Sequence, residues 1–164
     1  MKRKLLTQKL LYAFPAAVLL LGLLAPASGF AQDCKGTFVD GECVEGYVYV
    51  PDFMTPQDLL KHIDEHSSDI VIVDTAAPPI WEDEHIPGAR SLPYSKNITA
   101  PVPLPHEKTL VLYCACKDDE DAIEVARQLS LIGYRKVKVL KGGWFKWLDL
   151  KYKTVSKDDE KAAK

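Results

Sequence analysis

Two cysteines one residue apart, Cys114 and Cys116, are the residues of this chain best equipped for covalent chemistry. A thiolate is a soft nucleophile, and its reactivity depends on what surrounds it. Cys114 alone could carry a sulfur intermediate or be a buried structural thiol. Paired with Cys116 it could cycle as a dithiol, and Cys116 could resolve a species formed on Cys114. A disulfide within C-x-C closes a small ring and is expected to be comparatively oxidising. Two thiolates suit Cu(I), but no third ligand stands nearby in sequence, so no metal centre and no cofactor are expected. His62 and His66, four apart, are expected on the solvated face of a helix.

The residues after Cys114 set its electrostatics. Ala115, Lys117, Asp118 and Asp119 complete the loop, and Glu120 and Asp121 prolong an acidic run. Acids at a helix start are expected to cap it and complement its dipole. They also oppose a bound anion. A carboxylate about 6 Å away costs roughly 3 kcal/mol at an effective dielectric of about 20, and less when exposed. Lys117 is the nearest compensating charge in sequence.

The elements that must position this loop follow from periodicity. Residues 70–73 (IVIV) and 109–113 (TLVLY) are continuous apolar runs, as expected of strands buried on both faces. Residues 47–50 (YVYV) are a further β-type run, 91–93 a short edge strand, and 136–140 a strand nearer an edge. Thr55 and Pro56 predict a helix start, with Leu59, Leu60 and Ile63 on its apolar face. A second helix is expected over 119–132, burying Ala122, Ala126 and Leu129 and stopping at Gly133. Residues 78–85 are an acidic, turn-rich segment, and 97–108, with three prolines, a surface loop. A short helix over 144–148 is expected to pack Trp144, Phe145 and Trp147 onto the sheet. Alternating strands and helices imply an α/β fold, a mostly parallel sheet of about five strands covered on both faces. Ligands bind such sheets outside the carboxyl ends of the strands, where 109–113 delivers Cys114.

The chain has 164 residues, 27% charged and 47% hydrophobic, which excludes a disordered chain and a multi-span membrane protein. Residues 1–31 carry four basic residues and no acid, so the remainder holds 17 basic against 23 acidic residues. An acidic body argues against nucleic acid and anionic membranes as partners. Residues 1–31 are expected to be a secretory signal peptide cleaved after Ala31, the alternative being an uncleaved anchor. Either way the body is expected to lie outside the cytoplasm, not held at the membrane once the segment is cleaved. In an oxidising compartment Cys34 and Cys43, within an extension spanning 32–51, are expected to form a structural disulfide worth about 2–3 kcal/mol. Residues 156–164 are polar and expected to be a disordered tail.

Residues 52–155 resemble a rhodanese-like (sulfurtransferase) domain through three signatures in order. Asp74 ends a buried strand and is followed by His85-Ile86-Pro87-Gly88-Ala89. Leu-Val-Leu-Tyr-Cys, 110–114, resembles the strand that ends in the family's nucleophile. Leu140-Lys141-Gly142-Gly143, with Trp147 four positions on, resembles the closing L-x-G-G-x-x-x-W. The resemblance implies a three-layer α/β/α fold and sulfane-sulfur transfer through a persulfide on Cys114. It implies structural roles for Asp74, His85, Gly88, Gly142, Gly143 and Trp147. The expected partners are a small sulfur donor and a thiol or cyanide-like acceptor, with a protein partner unidentified. The loop departs from the family's basic, glycine-containing pattern: Ala115, Lys117 and Asp119 stand where Arg, Gly and Arg or Thr are usual. That departure keeps two alternatives open, a rhodanese-fold binding module without turnover and a thiol–disulfide oxidoreductase using both cysteines.

Overall fold

Apolar alternation along two central strands dictates the layering. The computed structural model describes residues 37–39 and 42–162. Strands β4 (Ile70–Asp74) and β6 (Thr109–Tyr113) pair in parallel over their whole length, with Val73 opposite Leu112. Val71, Val73, Leu110 and Leu112 face one core, while Ile72, Val111 and Tyr113 face the other. Helix α3 (Glu120–Leu131) covers the first face with Ala122, Val125, Ala126 and Leu129, all fully buried. On the second face lie α1 (Pro56–Asp64), through Leu59, and α4 (Gly143–Asp149), through Trp144 and Trp147. Removing a side chain such as Leu59 from water stabilises the fold by about 1.5–3 kcal/mol.

The sheet is completed by β3 (Phe53–Met54), β5 (Arg90–Ser91) and β7 (Val137–Leu140). Its order is β3-β7-β6-β4-β5 and every pairing is parallel. This is the expected mostly parallel α/β sheet of five strands. Thr55 starts α1 as predicted, its hydroxyl accepting the Asp58 N–H at 3.1 Å. An antiparallel pair, β1 (Thr37–Val39) and β2 (Glu42–Val44), precedes the sheet. Cys43 is disulfide-bonded; Cys34, its expected partner, and the expected signal segment 1–31 lie outside the described residues. Among the described residues no helix is long and apolar enough to cross a membrane.

Four local expectations are corrected. Residues 47–50 are not a strand: Val48 and Val50 are 78% exposed, and the edge position beside β7 is taken by Phe53 and Met54. The turn-rich segment after residue 77 contains a short helix, α2 (Pro78–Asp83), because proline fits the first helical turn. Phe145 is half exposed instead of packing on the sheet, since Trp144 and Trp147 occupy the inward face of α4. The expected disordered tail begins with helix α5 (Lys157–Ala162). Ser156 and Asp159 cap it reciprocally: the Asp159 carboxylate accepts the Ser156 N–H at 2.9 Å, and the Ser156 hydroxyl accepts the Asp159 N–H at 3.1 Å. Lys157 pairs with Glu82 of α2, and His85 and Val155 exchange backbone hydrogen bonds.

Candidate active site

Cys114 stands where the central strand β6 stops. The strand end is pinned from β4, because the Thr75 N–H and hydroxyl both donate to the Tyr113 carbonyl, at 2.8 and 3.0 Å. Tyr113 is 1% exposed and its hydroxyl needs partners there. It accepts the Ile86 N–H at 3.1 Å and donates to the Asp74 carboxylate. One phenol therefore joins three stretches of chain: the end of β4, the His85–Ala89 turn and the strand leading to Cys114. Sequence reasoning missed Tyr113 and Thr75. The available signal was a tyrosine inside an otherwise aliphatic buried strand, whose hydroxyl had to be satisfied.

The loop after Cys114 is tied to the chain's last glycines. The Cys114 carbonyl accepts the Trp144 N–H at 3.0 Å. Gly143 sits at φ +47°, and a Cβ there would lie 2.7 Å from the Cys114 carbonyl oxygen and 2.8 Å from Asp119 Oδ1. Cys114 is 1% exposed and forms a disulfide with Cys116, which is half-buried. Ala115 is half-buried, while Lys117 and Asp118 point to solvent. Among the described residues, no protein acceptor takes the N–H groups of residues 115–118. With the first turn of α3, these N–H groups leave backbone donors available to an anion held beside Cys114.

Asp119 corrects the expectation of an ordinary cap. It occupies the N-cap position of α3 but in the left-handed conformation, φ +58°, and its side chain does not cap the helix. Its carboxylate reaches across the loop to accept the Gly142 N–H at 2.8 Å through Oδ2. Oδ1 is buried without a hydrogen bond. Burial raises the Asp119 pKa and the neighbouring Asp118 charge adds to the rise, with the Gly142 N–H opposing it. Burial likewise raises Asp74, against the lowering effect of Tyr113, the Ala76 N–H and His85. Each native carboxyl thus binds its proton more tightly than the unfolded one, so its contribution to stability falls as pH rises above the ordinary carboxylate range. We expect Asp119→Asn, which keeps a Gly142 acceptor, to remove its share of the fall in stability as pH rises from the ordinary carboxylate range towards neutrality. Urea unfolding of both proteins across that range checks it, and parallel curves would refute the assignment.

The remaining family-motif residues frame this centre. His85 is fully buried, stacked 4.6 Å from Trp81, and its Nδ1 donates to the Trp81 carbonyl at 2.6 Å. Gly88 turns the chain at φ +78°, and fully buried Trp147 donates to the Lys153 carbonyl at 3.0 Å. His62 and His66 are not both on a helix: α1 ends first, and His66 adopts φ +50° beyond it. They line a cleft of about 390 Å³ with Arg90 and Lys108, to which the Cys114 loop contributes no residue.

These motifs are matched as a unit. A sequence profile described as the Rhodanese-like domain covers residues 55–150. The chain belongs to the rhodanese-like family. Among curated proteins no relative matches it. Solved structures of this rhodanese-like fold do. The BH2092 protein from Bacillus halodurans is 28% identical, with a TM-score of 0.58 over 64% of this chain and 77% of its own. A protein of unknown function from Rhodopseudomonas palustris, described as a possible tyrosine phosphatase, is 26% identical, with a TM-score of 0.52 over 63% and 83%. The SseA protein from Escherichia coli, whose structure was reported for the catalytic mechanism of 3-mercaptopyruvate sulfotransferases, is 20% identical, with a TM-score of 0.53 over 65% and 52%.

Proposed function

We propose that this rhodanese-like protein is an exported sulfane-sulfur carrier or sulfurtransferase that forms a persulfide on Cys114. The observation that carries the reading is the position of Cys114, at the end of the central strand and next to the uncommitted N–H groups of residues 115–118 and the start of α3. Reduction of the Cys114–Cys116 disulfide frees the thiolate. It attacks the outer sulfur of a donor, the donor's own S–S bond breaks, and the electron pair leaves with the donor thiolate. The new persulfide is an anion, and the N–H groups can hold it without a basic side chain. An acceptor thiolate then takes the outer sulfur and returns Cys114 as a thiolate. The mercaptopyruvate relationship of the Escherichia coli protein agrees with this chemistry on the same fold.

Intact mass of the reduced protein after exposure to polysulfide tests the reading. One added sulfur is expected in the wild type and none in Cys114→Ser. A wild type that gains nothing, or a sulfur that survives in Cys114→Ser, would overturn it. The Cys114–Cys116 disulfide supports a second reading, a thiol–disulfide oxidoreductase. Reversible two-electron cycling that needs both cysteines, without any sulfur uptake, would favour that reading.

A further inference from the structure

The oxidised site has an asymmetry that the carrier reading leaves unused. Cys114 is 1% exposed, whereas its disulfide partner Cys116 is half-buried. Of the two linked residues, Cys116 is the more open to a nucleophile arriving from solvent. Thiol–disulfide exchange proceeds by displacement of the second sulfur, so attack at Cys116 expels Cys114. The leaving thiolate is released at the end of β6, beside the uncommitted N–H groups of residues 115–118 and the start of α3. Departure is easiest for a stabilised thiolate, and unused N–H groups at a helix start are donors of the kind that stabilise one.

Charge and space select the nucleophile. Asp118 and Glu120 are exposed, Asp121 is half-buried, and Lys117 is the one cation within the loop. A dianion such as thiosulfate is repelled about twice as strongly as a monoanion by that field. Cys116 is itself only partly exposed and packs against the core cluster that holds Val73, Leu112 and Val125, which favours a small nucleophile. A small, singly charged sulfur nucleophile meets both conditions.

We infer that the Cys114–Cys116 disulfide is a reactive state whose substrate is inorganic hydrosulfide. This rests on the reading of Cys114 as a sulfur carrier and names how that carrier is charged. Hydrosulfide attacks Cys116 Sγ and a bond forms between the two sulfurs. The Cys114–Cys116 bond breaks, and its electron pair leaves on Cys114. The proton of hydrosulfide stays on the terminal sulfur of the Cys116 persulfide. Sulfide is oxidised by two electrons to the sulfane level, and the disulfide is reduced by the same two. The Cys114 thiolate next attacks that terminal sulfur, Cys116 leaves and takes up the proton, and the sulfur rests on Cys114. Transfer to an acceptor thiolate leaves a dithiol. Restoring the disulfide removes two electrons and two protons, and a protein disulfide of the oxidising compartment is the co-reactant that accepts them.

The test uses the full chain in its oxidised form. It is mixed with sodium sulfide under anaerobic conditions, free of zero-valent sulfur, then alkylated and weighed. The wild type is expected to gain the mass of one hydrogen sulfide as one persulfide and one thiol. Cys116→Ser, which cannot form the link but keeps the Cys43 disulfide, is expected to gain at least about tenfold less. A thermal melt of Cys116→Ser confirms that the comparison is between folded proteins. A wild type that merely becomes reduced, or that gains no more sulfur than Cys116→Ser, overturns the inference. A parallel sample of reduced wild type with polysulfide separates the two claims. Loading from polysulfide but not from sulfide rejects the hydrosulfide step alone, whereas loading from neither rejects the carrier reading as well.

Discussion

Gly143→Ala is expected to lower stability by about 2–4 kcal/mol and to reduce sulfur loading at Cys114 at least about tenfold. The added methyl would need to fit 2.7 Å from the Cys114 carbonyl oxygen and 2.8 Å from Asp119 Oδ1. Neither neighbour can yield cheaply. The carbonyl is main chain and already accepts the Trp144 N–H, and the carboxylate is held by Gly142. Relief would come from moving α4 away from the loop, which unties the Cys114 carbonyl from the Trp144 N–H. The backbone angle of +47° adds about 1 kcal/mol of strain for any side chain. Gly88→Ala is the matched comparison, with φ +78° but nothing within 4 Å of the new methyl. Urea midpoints of the two variants separate conformational strain from collision. Equal midpoints would mean that the contact between Gly143 and the Cys114 loop is not what holds the site.

Trp147→Ala is expected to cost about 3–5 kcal/mol, a loss of on the order of 10–20 °C in the thermal midpoint. The indole is fully buried on the α1 and α4 face of the sheet, meets Tyr152 edge-on at 4.9 Å and donates to the Lys153 carbonyl. Alanine would leave a cavity and a carbonyl without its donor. The main chain around residue 153 leads to Val155, which exchanges hydrogen bonds with His85. Calorimetry of the variant checks the magnitude. A loss below about 1 kcal/mol would show that residues 152–155 collapse into the space left behind.

The parts of the fold legible in the sequence are those with long, uniform patterns. Strands β4 and β6 are unbroken apolar runs because both faces are covered, and α3 repeats its apolar residues at helical spacing. The two-residue strands β3 and β5 are too short to carry a period, so the more regular 47–50 took the place of the true edge strand. The polar composition of residues 157–162 carries no sign of the reciprocal cap at Ser156 and Asp159 or of the contact of Lys157 with Glu82. At the site, Cys114 was found because a strand end is readable locally. The Asp119 link to Gly142 was not, since it joins residues that only the tertiary fold brings together. Local rules favoured a helix cap for that carboxylate, and a backbone N–H from the opposite side of the loop won it.

The pairing of β3 with β7 also fixes a timetable. Phe53 and Met54 pair as a strand with Val139 and Leu140, so this sheet pairing waits until most of the chain has been made. Cys114 and Cys116 emerge before Gly142, Gly143 and Trp144, the residues that cover their loop. During synthesis the two thiols are therefore present in the chain before the segment whose Trp144 N–H holds the Cys114 carbonyl.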